Sequence, residues 1–176
     1  MKIGKWLNLA FYAFVILFVI YIVYNKIGTA NISRPEPSDY TSSNHFDNSL
    51  NDSIVTLGTE LLGTPYVTAG TSRAGFDCSG FIYYVFQNFD IKVPRSTSEY
   101  EHFGTEVPIE EVRKGDLLLF LSPTRNVIGH IGVVSIANGG KSDFIHATSG
   151  RQKKVVTSNM ATEGYSQRFV KAIRVQ

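Results

Sequence analysis

Residues 75–81 read GFDCSGF and contain Cys78, the single cysteine of the 176-residue chain. A loop with glycines at positions 63, 70 and 75 precedes it. After it, apolar side chains recur at α-helical spacing, at Phe81, Ile82, Val85, Phe86 and Phe89. The spacing predicts a helix that ends near Asp90 and has Cys78 in its first turn. Because one cysteine cannot form an intrachain disulfide, any chemistry of Cys78 is that of a thiol.

The flanking segments predict a helical first half and a β-rich second half. Ser53 is a candidate N-cap for a helix with Ile54, Leu57 and Leu61 on one face, which Gly63-Thr64-Pro65 would end. Apolar runs separated by turn residues predict five strands, at 117–121, 130–136, 143–147, 155–157 and 169–175. Helices followed by antiparallel strands define an α+β domain, here over residues 53–176.

Two histidines lie at the ends of neighbouring predicted strands. His130 begins one strand and His146 ends the next, so pairing around Asn138-Gly139-Gly140 would bring the two imidazoles together. A thiol at a helix N-terminus gains thiolate character from the helix dipole and from a nearby imidazole. A cysteine nucleophile, a histidine base and a polar group that orients the base form an acyl-transfer site. A lone cysteine is often a small buried side chain, but the place of Cys78 between Asp77 and Ser79, after a glycine-rich loop, favours the nucleophile. Each histidine, considered singly, is more often a core residue, and it is the combination with Cys78 that favours a catalytic role.

Six short segments follow one another through the predicted domain. They are GTPYVTAG (63–70), GFDCSGF (75–81), VPRST (93–97), RKGDLLLF (113–120), GHIGVV (129–134) and FIHA (144–147). In this order they resemble the NlpC/P60 family of cell-wall cysteine peptidases. The resemblance implies a papain-like α+β fold, with N-terminal helices packed on a small antiparallel sheet.

The resemblance also implies a role for each matching residue. Cys78 matches the nucleophile, His130 the general base and His146 the residue that orients the base. Three further positions match residues that line the acyl-binding site or contact the N-terminal part of the substrate: Tyr66, Asp77 and Ser79. Family members hydrolyse bacterial stem peptides, commonly between D-glutamate and a diamino acid.

Two other functions remain compatible with these residues. One is an amidase or acyltransferase that uses the same Cys–His pair, and the other is a non-catalytic, membrane-tethered scaffold that binds wall fragments. One cysteine and four histidines without an HExxH pair give no indication of a metal site or a cofactor. A net charge of +2 gives no basic field for nucleic acid. The expected partners are peptidoglycan stem peptides, and the sequence does not indicate an oligomeric state.

The N-terminus has a different composition from the rest of the chain. Residues 7–24 read LNLAFYAFVILFVIYIVY and carry no charge. At ~1.5 Å per residue this segment would span roughly 27 Å, which predicts a transmembrane signal anchor within residues 1–28. A cleaved signal peptide is the alternative, but the apolar segment is long and no good cleavage site follows. Lys2 and Lys5 before the segment and only Lys26 just after it predict an extracytoplasmic domain on the periplasmic or cell-wall side of the cytoplasmic membrane. Residues 29–52, rich in Ser, Asn, Asp and Pro, predict a flexible tether.

Overall fold

The computed structural model describes residues 15–23 and 39–175, with side chains described at 15–23 and 48–175. Residues 15–23 form helix α1, and their side chains are exposed. The rest of the apolar segment at 7–24 lies outside the described residues. Among those that are described, no helix has both the length and the apolar character needed to cross a bilayer. The membrane anchor, its topology and the domain boundaries at residues 28 and 52 therefore stay predictions.

Helix α2 covers Asp39–Glu60 and begins earlier than the sequence predicted. Ser53 lies inside this helix, where its hydroxyl donates to the carbonyl of Ser49 at 2.8 Å, so its prediction as the N-cap is wrong. The helix enters the segment expected to be a tether because an apolar residue recurs at every turn from Leu50 onward, and these side chains pack against the core. Ile54 and Leu61 are buried as predicted.

Helix α3 covers Cys78–Gln87, which confirms the predicted helix with an end about one turn earlier. Asp77 is its N-cap, and its Oδ1 accepts the backbone N–H of Gly80 at 2.6 Å. The two strands of a small hairpin, β1 (Thr71–Ser72) and β2 (Gly75–Phe76), precede the helix. The helix therefore begins directly after a paired strand, and this pairing fixes the position of Cys78.

A six-stranded antiparallel sheet forms the second half of the domain, in the order β3-β8-β4-β5-β6-β7. The five predicted strands are all present, and the structure adds the short edge strand β3, which pairs with β8. Helix α4 (Glu163–Ser166) connects β7 to β8. The strand bounds are Thr105–Val107 for β3, Leu117–Leu121 for β4, Ile128–Ile136 for β5, Asp143–Thr148 for β6, Lys154–Asn159 for β7 and Phe169–Arg174 for β8.

Apolar side chains are buried on both faces of this sheet. Leu117 and Leu119 of β4 pack with residues of α2 and α3 in one cluster. Leu118 and Phe120, which alternate with them, pack in a second cluster together with Phe144. Burial on both faces explains why β4 is an uninterrupted apolar run, and it confirms the α+β class with an antiparallel sheet.

Candidate active site

Cys78 is the first residue of α3, and its thiol faces two other segments. The Sγ atom lies 3.5 Å from Thr97 Oγ1 and 4.0 Å from the carbonyl oxygen of Gly129. That carbonyl is accessible because Phe120 pairs with His130 and Leu121 with Ile128, which leaves Gly129 as the extra residue of a β-bulge. The bulge therefore brings the residue directly before His130 to the thiol, although Cys78 and His130 themselves share no hydrogen bond in this structure.

The environment of the thiol opposes its ionisation. Burial raises the pKa of Cys78, with a smaller contribution from the negative charge of Asp77, and the hydrogen bond with Thr97 acts in the opposite direction. The backbone N–H groups of Cys78 and Ser79 at the helix terminus lower the pKa as expected, but burial outweighs them and the net shift is upward. Cys78 is a protonated thiol at neutral pH in this state.

His130 and His146 meet as the predicted hairpin requires. His130 Nε2 lies 2.9 Å from His146 Nδ1, with the ring planes 87° apart. Burial lowers the pKa of His130 to about 4, and the positive charge of Arg168 acts in the same direction. Burial also lowers the pKa of His146 to about 2, assisted by His130 and Arg168. Both imidazoles are thus neutral at pH 7, and His130 can accept a proton.

Glycine at position 132 allows the neighbouring strand β6, which carries His146, to pack closely. Gly132 lies on β5 next to β6, and a Cβ atom there would stand 2.5 Å from Phe144 Cδ2 and 3.2 Å from His146 Cβ. Any side chain would therefore push the β6 residues away. The GHIG segment (129–132) therefore contains a position that must be glycine for steric reasons, in addition to His130.

Asp77 and Ser79 belong to an ion-pair network beside the thiol. Arg95 donates two hydrogen bonds to the Asp77 carboxylate, at 3.0 and 2.8 Å, and one to Ser79 Oγ at 3.0 Å. This bidentate geometry fixes both residues while Asp77 also caps α3. Gly80 allows the preceding loop to pack closely, because a Cβ atom there would lie 2.0 Å from the Gly70 carbonyl oxygen.

An open cavity of about 650 Å³ lies over these groups. Its lining includes the side chains Tyr66, Asp77, Cys78, Ser79, Arg95 and Thr97. The backbone N–H of Tyr66 donates to the Lys153 carbonyl at 2.8 Å, which anchors the tyrosine at one end of the cavity. Burial raises the pKa of its hydroxyl, so Tyr66 is a neutral hydrogen-bonding group. The three residues proposed for substrate binding thus line the same cavity as Cys78.

Four contributors to the site were not assigned roles from the sequence: Thr97, Arg95, Ser158 and Tyr165. Thr97 and Arg95 lie in the VPRST segment, whose resemblance to the family could have drawn attention to them. Ser158 and Tyr165 contact His146 but lie in segments without a recognisable motif. In the part of the chain that the structure describes, no three His, Cys, Asp or Glu side chains converge as metal ligands would.

A cysteine at a helix N-terminus, set against a histidine pair on an antiparallel sheet, has the organisation of a cysteine-dependent acyl-transfer site. The NlpC/P60 family model matches residues 63–174, which covers α3 and nearly the whole sheet. The chain belongs to the NlpC/P60 family.

Similar proteins carry the names of cell-wall peptidases. The chain is 31% identical over 135 residues to a gamma-D-glutamyl-L-lysine dipeptidyl-peptidase of Bacillus cereus, which covers 77% of this chain and 39% of that protein. It is 39% identical over 119 residues to the murein DD-endopeptidase MepH of Escherichia coli, which covers 65% of this chain and 42% of that protein. A crystal structure of a Bacillus cereus NlpC/P60 family protein superposes with a TM-score of 0.63 at 30% identity, over 71% of this chain and 40% of that one. The chain therefore spans about two fifths of these longer relatives.

Proposed function

We propose that this protein is a cysteine peptidase that hydrolyses peptidoglycan stem peptides. The observation that carries the proposal is the arrangement of Cys78, at the wall of an open cavity, next to the bulge that precedes the hydrogen-bonded pair His130 and His146. The names of the relatives support the substrate class.

The proposed reaction begins from the neutral thiol and neutral imidazole. His130 Nε2 is engaged by His146, which leaves Nδ1 to take the proton from Cys78 as Sγ attacks the scissile carbonyl carbon. The free N–H groups at the N-terminus of α3 stabilise the oxyanion. The imidazolium then returns the proton to the leaving amine, and the C–N bond breaks to give a thioester. Water, deprotonated by His130, attacks the thioester and releases the acid and the free thiol.

For the scissile bond we propose the one between D-glutamate and the diamino acid. The Bacillus cereus relative is named for a γ-D-glutamyl-L-lysine bond, whereas the Escherichia coli relative is named for a DD bond, so the two names define the test. Tyr66, Asp77 and Ser79 are the proposed contacts for the N-terminal part of the stem peptide. The support for this proposal is that all three residues line the same cavity as Cys78.

Digestion of defined peptides followed by mass spectrometry tests the activity and the bond together. We expect a linear stem peptide with a free N-terminus to be cut after D-glutamate by the wild type, and to remain intact with Cys78→Ala. Cleavage at a D-Ala cross-link in a dimeric substrate would instead contradict the proposed bond. No cleavage of either substrate would leave the scaffold function as the better account, whereas cleavage of only a non-peptide amide or an ester would favour the amidase or acyltransferase.

We further propose that the N-terminal apolar segment anchors the chain in the cytoplasmic membrane with the domain outside. The support is the uncharged segment at 7–24 and the excess of lysine on its N-terminal side. In cells that produce the full chain, protease added to intact spheroplasts should digest the domain. Digestion only after lysis would contradict this topology.

A further inference from the structure

His146 meets two hydroxyl groups at the ring nitrogen that faces away from His130. Its Nε2 lies 2.9 Å from Ser158 Oγ and 3.2 Å from the Tyr165 hydroxyl. Its Nδ1 is the atom that contacts His130 Nε2. His146 is fully buried, so these hydroxyls are the hydrogen-bonding groups available to Nε2. The reaction proposed above assigns no role to either hydroxyl.

Two separate elements hold the hydroxyls in place. On β7, Val156 pairs with His146 across the strands, and Ser158 follows two residues later on the same face. Tyr165 lies on α4, and its ring packs edge-on against Phe144 at a centroid distance of 5.0 Å. The guanidinium of Arg168 lies over the same ring at 5.4 Å. Both hydroxyls are therefore supplied by side chains with fixed positions.

The tautomer of His130 depends on what these hydroxyls do. For Nδ1 of His130 to accept the thiol proton, its Nε2 must carry the ring hydrogen and donate to His146 Nδ1. His146 then carries its own hydrogen on Nε2, and that hydrogen needs an acceptor. If the hydroxyls donated instead, His146 would donate from Nδ1, and His130 would carry its hydrogen on Nδ1, where it could not act as a base.

We propose that Ser158 and Tyr165 are positioning residues whose oxygens accept the Nε2–H of His146 and thereby hold His130 in its basic tautomer. The chain of hydrogen bonds thus extends from His130 through His146 to two hydroxyls. The inference rests on the proposed function, because the tautomer of His130 matters to turnover only if His130 serves Cys78.

Because two hydroxyl oxygens accept the same Nε2–H of His146, loss of one hydroxyl should have a much smaller effect than loss of both. Ser158→Ala leaves the Tyr165 hydroxyl, and Tyr165→Phe leaves Ser158, so each single variant should lose less than about fivefold in kcat. Ser158→Ala should lose more of the two, because its bond is shorter. The double variant leaves a buried N–H without an acceptor and should lose at least ~30-fold in kcat, with KM nearly unchanged because neither residue lines the cavity. Ser158→Thr keeps a hydroxyl and should restore most of the loss.

The direct test is the tautomeric state of the histidines, measured by ¹⁵N–¹H NMR on histidine-labelled protein. We expect Nε2–H tautomers for both His130 and His146 in the wild type, and a shift away from them in the double variant. Thr157→Val is the matched control, because this exposed neighbour lies on the opposite face of β7. Tyr83→Phe, at a surface hydroxyl bonded to Gln87, controls for the loss of a tyrosine hydroxyl.

The outcomes separate this inference from the function on which it rests. A folded double variant with wild-type tautomers and wild-type kcat would overturn it, as would an Nδ1–H tautomer of His130 in the wild type. If the double variant does not fold, the comparison of Ser158→Ala with Ser158→Thr decides, and equal kcat values would count against the inference. The NMR measurement needs no substrate. If the wild type cuts no stem peptide, the proposed function is refuted, but the histidine tautomers still show whether Ser158 and Tyr165 hold His130 in the basic tautomer.

Discussion

At Cys78, burial and hydrogen bonding act on the thiol in opposite directions. Burial dominates and raises its pKa, while the low pKa of His130, about 4, keeps the imidazole neutral. The unliganded site therefore holds a neutral pair rather than a thiolate and an imidazolium. In the proposed mechanism the thiol proton moves to His130 only when a substrate is in place.

The hydroxyl of Thr97 lowers the pKa of the Cys78 thiol more than the backbone N–H groups of Ser79 and Cys78 do. Thr97→Val removes the 3.5 Å contact with Sγ and should raise the pKa of the thiol further. The rate of alkylation by iodoacetamide, measured against pH, reports this shift. Thr97→Ser keeps the hydroxyl and should follow the wild-type curve, whereas a wild-type curve for Thr97→Val would show that the contact does not stabilise the thiolate.

The two histidines should differ in what can replace them. His130 moves a proton, so His130→Ala should lower kcat at least ~100-fold, and His130→Gln or His130→Asn should be no better. In the proposed mechanism His146 Nδ1 accepts from His130 Nε2, so His146→Gln or His146→Asn should retain more activity than His146→Ala. Steady-state kinetics on one stem peptide measures both series. Equal loss across all three His146 variants would mean that orientation of the base is not its role.

Among the secondary-structure elements, β5 and β6 position the histidine pair through their close approach at Gly132. Gly132→Ala would place a Cβ atom 2.5 Å from Phe144 Cδ2, so we expect a loss of about 1–3 kcal/mol in unfolding free energy and a fall in kcat. Urea denaturation and the peptide assay measure the two effects. Gly140→Ala, in a turn with no atom within 4 Å of the added Cβ, is the matched control. If the two variants behaved alike, close packing at position 132 would not matter.

The elements that the sequence predicts correctly are those whose burial leaves a periodic pattern. Helix α3 and the strands that carry His130 and His146 bury regular apolar positions, so their existence follows from the order of residues. The side chains of strand β3 (Thr105–Val107) are mostly exposed, and the strand forms because it pairs with the edge of β8. The local sequence does not indicate this pairing. The early start of α2 was missed because residues 39–49 are mostly polar and lack the regular apolar spacing that predicts a helix.

In the candidate site, too, some features follow from local sequence and others only from the packing of distant segments. Cys78, His130 and His146 stand in short motifs, and the expected contact between the histidines is confirmed. Their catalytic roles stay predictions. The approach of Ser158 and Tyr165 to His146 arises from the packing of β7 and α4 against β6, so it is visible only in three dimensions. The raised pKa of Cys78 likewise depends on burial by segments that are distant in sequence. The position of Cys78 at a helix terminus does not indicate that burial.

For the whole molecule, burial of two neutral histidines predicts sensitivity to acid. In the folded protein their pKa values are lowered to about 4 and about 2, whereas in the unfolded chain both imidazoles take up protons near the ordinary value of 6.5. Stability is therefore fully present above pH 6.5 and is lost as the pH falls toward 4. Each histidine should lower the unfolding free energy by on the order of 2 kcal/mol between pH 7 and pH 5.

Urea denaturation at pH 7 and pH 5 measures this loss. His146→Gln removes one titrating group and should lose less stability over the same interval than the wild type. An unfolding free energy that does not change between these two pH values would contradict neutral burial of the pair.

The central claim is that Cys78 is the nucleophile of a stem-peptide hydrolase, and Cys78→Ser tests it most directly. Serine is nearly isosteric, but its hydroxyl is a much weaker acid than a thiol, and a histidine pair arranged for a thiol does not activate it. With the substrate that the wild type cuts, kcat/KM of Cys78→Ser should fall at least ~1000-fold while the melting temperature stays within a few degrees. Retention of more than a few per cent of wild-type kcat/KM by a folded Cys78→Ser would contradict the account.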